Sequence, residues 1–269
     1  MSLLTHDQKM LRETAAQVMA EEGSIAKQLR HWRDTGCKDG FGHALWRQFG
    51  ELGLAGMAVP EAQGGMGMGA TETALVLEEI GRNLTPSPFL TTAVAAVRAL
   101  DGSAAAERWF PGIVAGETIA ALAVDEGRRH APEQIAMRAE RQGNGFVLDG
   151  AKQFVVHGAS ADVILVAART AGSPGETDGL TLFAVPRDAA GLAVENVTLA
   201  DSSKAARLTF DKVALDGDAM VGEVDGGWAP LSRALDAGRA GAAAELVGVA
   251  AGASAMTLDY LKQRRQFGI

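Results

Sequence analysis

The sequence predicts an α+β chain of three successive parts: an N-terminal helical domain, a central antiparallel β-sandwich or barrel domain, and the start of a C-terminal helical bundle. Three observations predict this order. Apolar residues recur at helical spacing over residues 1–118, alternate with polar residues over residues 119–227, and return to helical spacing over residues 228–269. With 269 residues, 47% of them hydrophobic, the chain can bury a sizeable core.

The N-terminal part opens with a helix start signal. Thr5 is followed three residues later by Gln8, which is the pattern of a capping box. Three further helices are predicted near residues 45–52, 71–80 and 91–100, because apolar residues repeat there every three or four positions.

Short strands and turn signals mark the central part. Gly143-Asn144-Gly145 and Asp149-Gly150 are both typical of hairpin turns. Residues 162–167 and 180–185 are short apolar runs that suit buried strands, and a later strand should lie near residues 208–213. Several short strands without long helices between them predict the antiparallel sandwich or barrel.

The C-terminal part is predicted to be one long helix that ends near Arg264 and Arg265. Its apolar stripe consists of Leu246, Val249, Ala253, Met256 and Tyr260. A single amphipathic helix cannot bury its own stripe, so we expect it to pack on the N-terminal helices, on another subunit, or on further helices of a bundle that these residues only begin. Its Ala and Gly content would allow close contact between helices.

Composition excludes several function classes. The formal net charge of −8 argues against a nucleic-acid partner, which requires a basic surface. The lone cysteine, Cys37, has no patterned histidine beside it and is expected to be an inert thiol, and the five histidines show no metal-ligand spacing. No signal peptide and no membrane span are expected, so the sequence predicts a cytoplasmic protein.

Several motifs, taken in order, resemble those of the acyl-CoA dehydrogenase family. Residues 52–69, LGLAGMAVPEAQGGMGMG, are similar to the family loop G-L-x-G-x-x-V-P-E-x-x-G-G-x-G. Residues 149–162, DGAKQFVVHGASAD, are similar to N-G-x-K-x-W-I-T-N-G-x-x-A-D. Residues 235–239, LDAGR, and 264–268, RRQFG, are similar to parts of the family's C-terminal helices. The joint order of these motifs is more specific than any one of them.

The resemblance implies a chemistry. A carboxylate base would remove the α-proton of an acyl-CoA while the β-hydrogen leaves as hydride to FAD, and an electron-accepting flavoprotein would reoxidise the flavin. The resemblance also implies a homo- or hetero-oligomer of dehydrogenase-fold subunits.

The same resemblance implies the residues that would bind FAD. They are Val124, Asp125, Phe154, Val155, Val156, Arg264 and Phe267. Arg264 and Phe267 would reach the FAD of a neighbouring subunit, where a guanidinium suits a pyrophosphate. Val124 and Val156 stand where the family has threonines, so two hydroxyl contacts to the flavin ring would be lost, at about 1 kcal/mol each.

For the substrate, the resemblance implies His130 and Arg239 as binding residues. Arg239 follows Asp236 by three residues, so the two side chains can pair on one helix face. Gly238 occupies the alternative position of the catalytic base and cannot act as one. Glu245 lies two helical turns further on and is interpreted as a solvated or interhelical carboxylate, so no base is assigned.

Two functions therefore remain open. The first is a FAD-dependent dehydrogenase subunit. The second is a non-catalytic partner of a competent dehydrogenase subunit, with a degenerate flavin site of its own. A nucleotide-binding module at Gly64–Gly69 is disfavoured, because the spacing is not G-x-G-x-x-G and no βαβ pattern surrounds it.

Overall fold

A computed structural model describes residues 4–266. The N-terminal helices are α1 (His6–Glu21), α2 (His31–Asp34), α3 (His43–Glu51), α4 (Ala70–Asn83), α5 (Val97–Leu100) and α6 (Ala105–Val114). π-helical turns at Ala26–Arg30 and Phe89–Ala96 lead into α2 and α5, and a 3-10 turn spans Glu61–Gln63. The predicted capping box of α1 is confirmed: Gln8 N–H donates to Thr5 Oγ1 at 3.2 Å, and Thr5 N–H donates to Gln8 Oε1 at 3.0 Å.

The central strands are β1 (Ala120–Ala123), β2 (Arg138–Gln142), β3 (Gly145–Val156), β4 (Val163–Arg169), β5 (Leu180–Pro186), β6 (Leu192–Thr198), β7 (Lys204–Leu215) and β8 (Met220–Val221). Within residues 4–266 these eight strands form one sheet in the order β6-β7-β3-β2-β4-β5-β8, with β1 on the free part of β4. Most pairs are antiparallel, as predicted, but β1 runs parallel to β4 along Ala120–Ala123, and β2 pairs with β4 in parallel at Arg138 and Arg169. The sheet is therefore mixed at this point.

One of the two hairpin turn signals is wrong. Gly143 and Asn144 do join β2 to β3, but Asp149-Gly150 lies inside β3. The pairing register of β3 with β7 shifts between Leu148 and Gly150, and Gly150 has φ +144°. A Cβ at Gly150 would approach Met137 Cγ to 2.8 Å. Glycine is needed here for a bulge in a continuous strand, not for a turn.

Buried polar contacts join the helical part to the sheet. The Thr92 hydroxyl, fully buried, donates to Ala120 O at 2.9 Å and accepts from Ala120 N–H at 3.0 Å. One side chain thus satisfies both backbone groups at the start of β1. Because Thr92 belongs to the π-helical turn Phe89–Ala96, this bond fixes that turn against the edge of the sheet.

The last helix, α7 (Trp228–Gln263), packs on α4 through glycines. A Cβ at Gly248 would overlap Glu78 O, and a Cβ at Gly81 would overlap Glu245 O, so the two backbones touch directly. The expected stripe is not the packing face, because Leu246 and Met256 are 66% and 65% exposed. The glycine face packs instead, since it permits a closer approach than leucine does.

One helix bears on the expectation of no membrane span, which stays a prediction. By length and composition alone, α7 is apolar enough to cross a bilayer, and it is the one such helix in residues 4–266. Its middle nevertheless packs on α4 through Gly241, Gly248 and Gly252, and Leu231 and Ala234 near its start are fully buried in the core. Residues 253–266 are exposed.

Candidate functional site

A second irregularity in β3 presents two apolar side chains to the outside of the sheet. The register with β7 shifts between Lys152 and Val155, and Phe154 has φ +54°. Phe154 is 52% exposed and Val156 is 37% exposed, whereas Val155 between them is buried in the core. A large aromatic residue in the left-handed region is uncommon, and such strain is often found at functional sites.

The loop after β1 is folded around one carboxylate. Asp125 accepts a hydrogen bond from Ala131 N–H at 3.0 Å, and its Oδ2 lies 2.9 Å from His130 Nδ1. Gln153 N–H donates to Asp125 O at 2.7 Å, which ties the loop to β3 beside Phe154. Val124, at the start of the loop, is buried. The Asp125 carboxylate is therefore used inside the loop, and it orients His130.

An ion pair between buried Lys152 and Glu126 holds this loop against β3. Lys152 is fully buried, and its Nζ donates to Glu126 Oε1 at 2.7 Å and to Val124 O at 2.9 Å. The Glu126 carboxylate also accepts from the N–H groups of Ala136 and Met137. Burial lowers the pKa of Lys152, and the Glu126 charge opposes that shift.

The role of Lys152 was missed from the sequence, although a signal existed. Side chains of a strand alternate between its two faces, and Lys152 lies four positions after buried Leu148 in β3. The alternation therefore predicts that the charged side chain of Lys152 points towards the core. An inward lysine requires a carboxylate partner, and Glu126 supplies it.

A cavity of about 330 Å³ opens between the Phe89–Ala96 turn, the bulge of β3 and α7. Five of the residues singled out from the sequence line it together: His130, Phe154, Val156, Gly238 and Arg239. They come from three separate stretches of the chain. A Cβ at Gly238 would meet nothing nearer than Ala95 Cβ at 4.0 Å, so this wall of the cavity is open.

Other expected site residues lie elsewhere. Val124 lines a neighbouring concavity with Arg128 and Arg129, and Val155 faces the core. Arg264, exposed at the end of α7, stacks over Tyr260 with 5.6 Å from its guanidinium carbon to the ring centroid. Arg264 is 25 residues beyond Arg239, roughly 38 Å along a helix, so it cannot serve the same cavity. Phe267 lies outside the described residues.

Charge in the cavity is sparse. Arg239 Nη1 pairs with Asp236 Oδ1 at 2.8 Å, as expected from their spacing, and both side chains are more than half exposed. Among the described residues that line the cavity there is no aspartate or glutamate. In residues 4–266 no three His, Cys, Asp or Glu side chains gather in a way that could hold a metal ion.

Comparison with known proteins assigns the family. Residues 5–117 match the acyl-CoA dehydrogenase N-terminal domain, and residues 122–213 match the acyl-CoA dehydrogenase middle domain. The acyl-CoA dehydrogenase FadE12 of Mycobacterium tuberculosis is 28% identical over 97% of this chain and 68% of its own length. This chain thus spans about two thirds of the relative.

Solved structures agree in fold. A probable acyl-CoA dehydrogenase from Mycobacterium abscessus superposes with a TM-score of 0.88 at 26% identity, covering all of this chain and 72% of that one. The G363A variant of the Tcur3481-Tcur3483 steroid ACAD is 32% identical with a TM-score of 0.84, covering 97% and 68% of the two chains. The chain therefore belongs to the acyl-CoA dehydrogenase family.

Proposed function

We propose that the chain is a subunit of a FAD-dependent acyl-CoA dehydrogenase that desaturates the α,β bond of an acyl-CoA thioester. The observation that carries the proposal is the 330 Å³ cavity, because it collects His130, Phe154, Val156, Gly238 and Arg239 from distant parts of the chain. Each of them stands at a position that the family resemblance relates to the flavin, the substrate or the catalytic base.

The residues present fit the faces of a flavin better than its polar edge. Phe154 and Val156 form an exposed apolar platform beside the cavity, which is the kind of surface that a flat aromatic ring covers. Val124 and Val156 carry no hydroxyl for the ring edge, so those contacts would come from backbone groups. FAD, when bound here, would supply the hydride acceptor.

The chain's own groups would orient the substrate. His130, held by Asp125, and Arg239 are the polar side chains at the cavity to which we assign contacts with the acyl-CoA. Because no carboxylate lines this cavity within residues 4–266, the α-proton would be removed by a base from outside this set of side chains.

Visible absorbance tests the proposal directly. The purified chain, incubated with excess FAD and desalted, should retain a flavin band that corresponds to close to one FAD per chain. Replacement of Phe154 by Ala should lower that occupancy, whereas replacement of Phe146, which faces the core on the same strand, by Leu should not. A chain that stays colourless would contradict independent flavin binding.

A specific observation also favours the second function, a non-catalytic partner of a competent dehydrogenase subunit. The cavity lacks a carboxylate, and the two hydroxyls expected for the flavin edge are replaced by valines. Arg264 would then contribute to the partner's FAD site. Co-purification with a second dehydrogenase-fold chain that carries all the flavin would support this function, and a flavin-loaded chain alone would contradict it.

A further inference from the structure

A second cavity of about 370 Å³ adjoins the first one. The two cavities share Leu90, Thr91 and Val156 as lining residues, so only these side chains lie between them. We call this second cavity the distal cavity. It lies between the end of α4, the start of β7 and the middle of α7. Its volume is within the range of small-molecule sites in proteins.

Backbone strain concentrates at the distal cavity. Six residues other than glycine have positive φ within residues 4–266, and three of them line this cavity: Leu84, His157 and Ser202. Leu84 has φ +47° and is 40% exposed although it is large and apolar. Strained residues of this kind persist where the surrounding structure holds them, and they cluster at binding sites.

Most charged groups of the distal cavity already have partners. Asp39 accepts from Ser160 Oγ at 2.9 Å and lies 3.0 Å from His43 Nε2. Asp201 accepts from Ser203 Oγ at 2.7 Å, and Lys204 Nζ donates to Thr198 Oγ1 at 2.8 Å. These groups are engaged in holding the cavity wall together.

Three polar groups of the distal cavity remain available. Glu245 has no hydrogen bond or ion pair with any residue that the structure describes, and burial raises the pKa of its carboxyl. The buried Ser87 Oγ also has no partner within residues 4–266. His157 uses Nδ1 towards Thr91 Oγ1 at 3.0 Å, and Thr91 donates its own hydrogen to Pro88 O at 3.1 Å. In that arrangement His157 Nδ1 is the donor, and Nε2 is left as an acceptor.

The available groups define the chemistry of a ligand. A carboxyl and a ring nitrogen accept hydrogen bonds, and a hydroxyl can do both. Three acidic residues against one lysine make the distal cavity unfavourable for a phosphate or a carboxylate. A neutral hydroxyl can donate its one hydrogen to one of the free acceptors and accept from the Ser87 hydroxyl, while Leu84, Leu90 and Val156 suit a hydrocarbon stem.

We propose that the distal cavity is a specificity subsite for the far end of the acyl group, and that it selects acyl-CoA thioesters with a hydroxyl there over plain alkyl chains. Glu245 is the principal acceptor, His157 Nε2 is the alternative acceptor on the opposite wall, and the Ser87 hydroxyl can donate to the ligand oxygen. The inference rests on the proposed function, because it requires that the reacting end of the acyl-CoA occupies the first cavity.

Calorimetric titration of the full chain, in excess FAD, tests the subsite. The ligands are hexanoyl-, octanoyl- and decanoyl-CoA and their ω-hydroxy forms. At the length that reaches Glu245, the hydroxylated ligand should bind about five- to tenfold more tightly, as expected for one buried hydrogen bond to a carboxyl group. Glu245→Leu should abolish that ratio, Glu245→Gln should retain most of it, and the exposed control Glu107→Leu should leave it unchanged.

The outcomes separate the two proposals. Equal affinity of the two ligand series at all three lengths, or an unchanged ratio in Glu245→Leu, would overturn the subsite and leave the proposed function standing. Failure of every acyl-CoA to bind would overturn the proposed function itself. His157→Leu provides a second test from the opposite wall, and a reduced ratio in this variant would support the subsite independently of α7.

Discussion

At the scale of single residues, the fate of a charge depends on what surrounds it. Lys152 is fully buried, and its ammonium group donates hydrogen bonds to Glu126 and to a backbone carbonyl. Arg207, in contrast, pairs with Glu195 at 3.2 Å, and both of these side chains are exposed to solvent. When one member of a buried ion pair is removed, the other charge is left unpaired where water solvates it poorly. When one member of a surface pair is removed, water solvates the remaining charge, so little stability is lost.

This contrast predicts a large difference between two matched substitutions. Lys152→Met should lower the free energy of unfolding by about 3 kcal/mol, because Glu126 is left without its cation. Arg207→Met should change it by less than about 0.5 kcal/mol. Urea unfolding followed by circular dichroism measures both, and equal midpoints would show that Lys152 does not support the loop after β1.

His157 gives the protein a pH dependence whose sign follows from burial. Burial lowers the pKa of His157 from 6.5 to about 4, although the nearby Asp39 charge opposes the shift. The unfolded chain therefore takes up this proton first as the pH falls. Stability due to His157 is complete above pH 6.5 and is lost between about pH 6.5 and about pH 4.

The expected loss from this one group is up to about 3 kcal/mol across that window. Asp39, Asp201, Lys204 and Glu245 line the same cavity, and the raised pKa of Glu245 acts in the opposite direction. The measurement is therefore the difference between the wild type and His157→Gln, in urea unfolding at about pH 7 and about pH 5. The variant should lose less stability on acidification, and parallel losses would contradict the assignment to His157.

At the scale of elements, alternation and helical spacing predicted most helices and strands. These patterns failed at positions where a glycine is needed because another element approaches its backbone closely. Asp149-Gly150 has the composition of a turn, but Gly150 is required by the close approach of Met137 across the sheet. In α7, the apolar stripe indicated the wrong packing face. A contact between two backbones depends on the partner element, and neither sequence segment contains that information alone.

Two glycines of α7 allow this interpretation to be tested with one kind of substitution. Gly248→Ala should lower the free energy of unfolding by about 2 kcal/mol, because the added methyl overlaps the α4 backbone at Glu78. Gly238→Ala should raise it by about 0.5–1 kcal/mol, since the methyl enters open space and alanine favours a helix. Thermal unfolding of both variants gives the two signs, and a shared sign would contradict the packing described for α4 and α7.

At the scale of the whole molecule, the candidate site was predictable in part. The family resemblance related Phe154, Val156, Gly238, His130 and Arg239 to the flavin, the substrate or the catalytic base, and the fold brings all five to one cavity. The distal cavity was not predictable. Glu245 looks like an ordinary helix carboxylate, and only the convergence of α4, β7 and α7 shows that it faces strained backbone and unpaired polar atoms.

The second half of α7 is exposed along most of its length. Within residues 246–261, six large apolar residues are more than half exposed: Leu246, Val247, Met256, Leu258, Tyr260 and Leu261. Six large apolar side chains exposed on one helix are costly to leave in water, and such exposure is typical of an interface. We therefore expect the 27.9 kDa chain to associate through α7 in solution.

Light scattering coupled to size exclusion tests that expectation. The wild type should elute with a mass at least twice that of one chain. Replacement of Met256 and Tyr260 together by Glu should shift the mass towards one chain, because the two side chains lie one turn apart on the same face and charges there oppose burial. Val224→Glu, in the loop before α7, serves as the exposed control and should leave the mass unchanged. A wild type that runs as one chain at high concentration would contradict the expected self-association through α7.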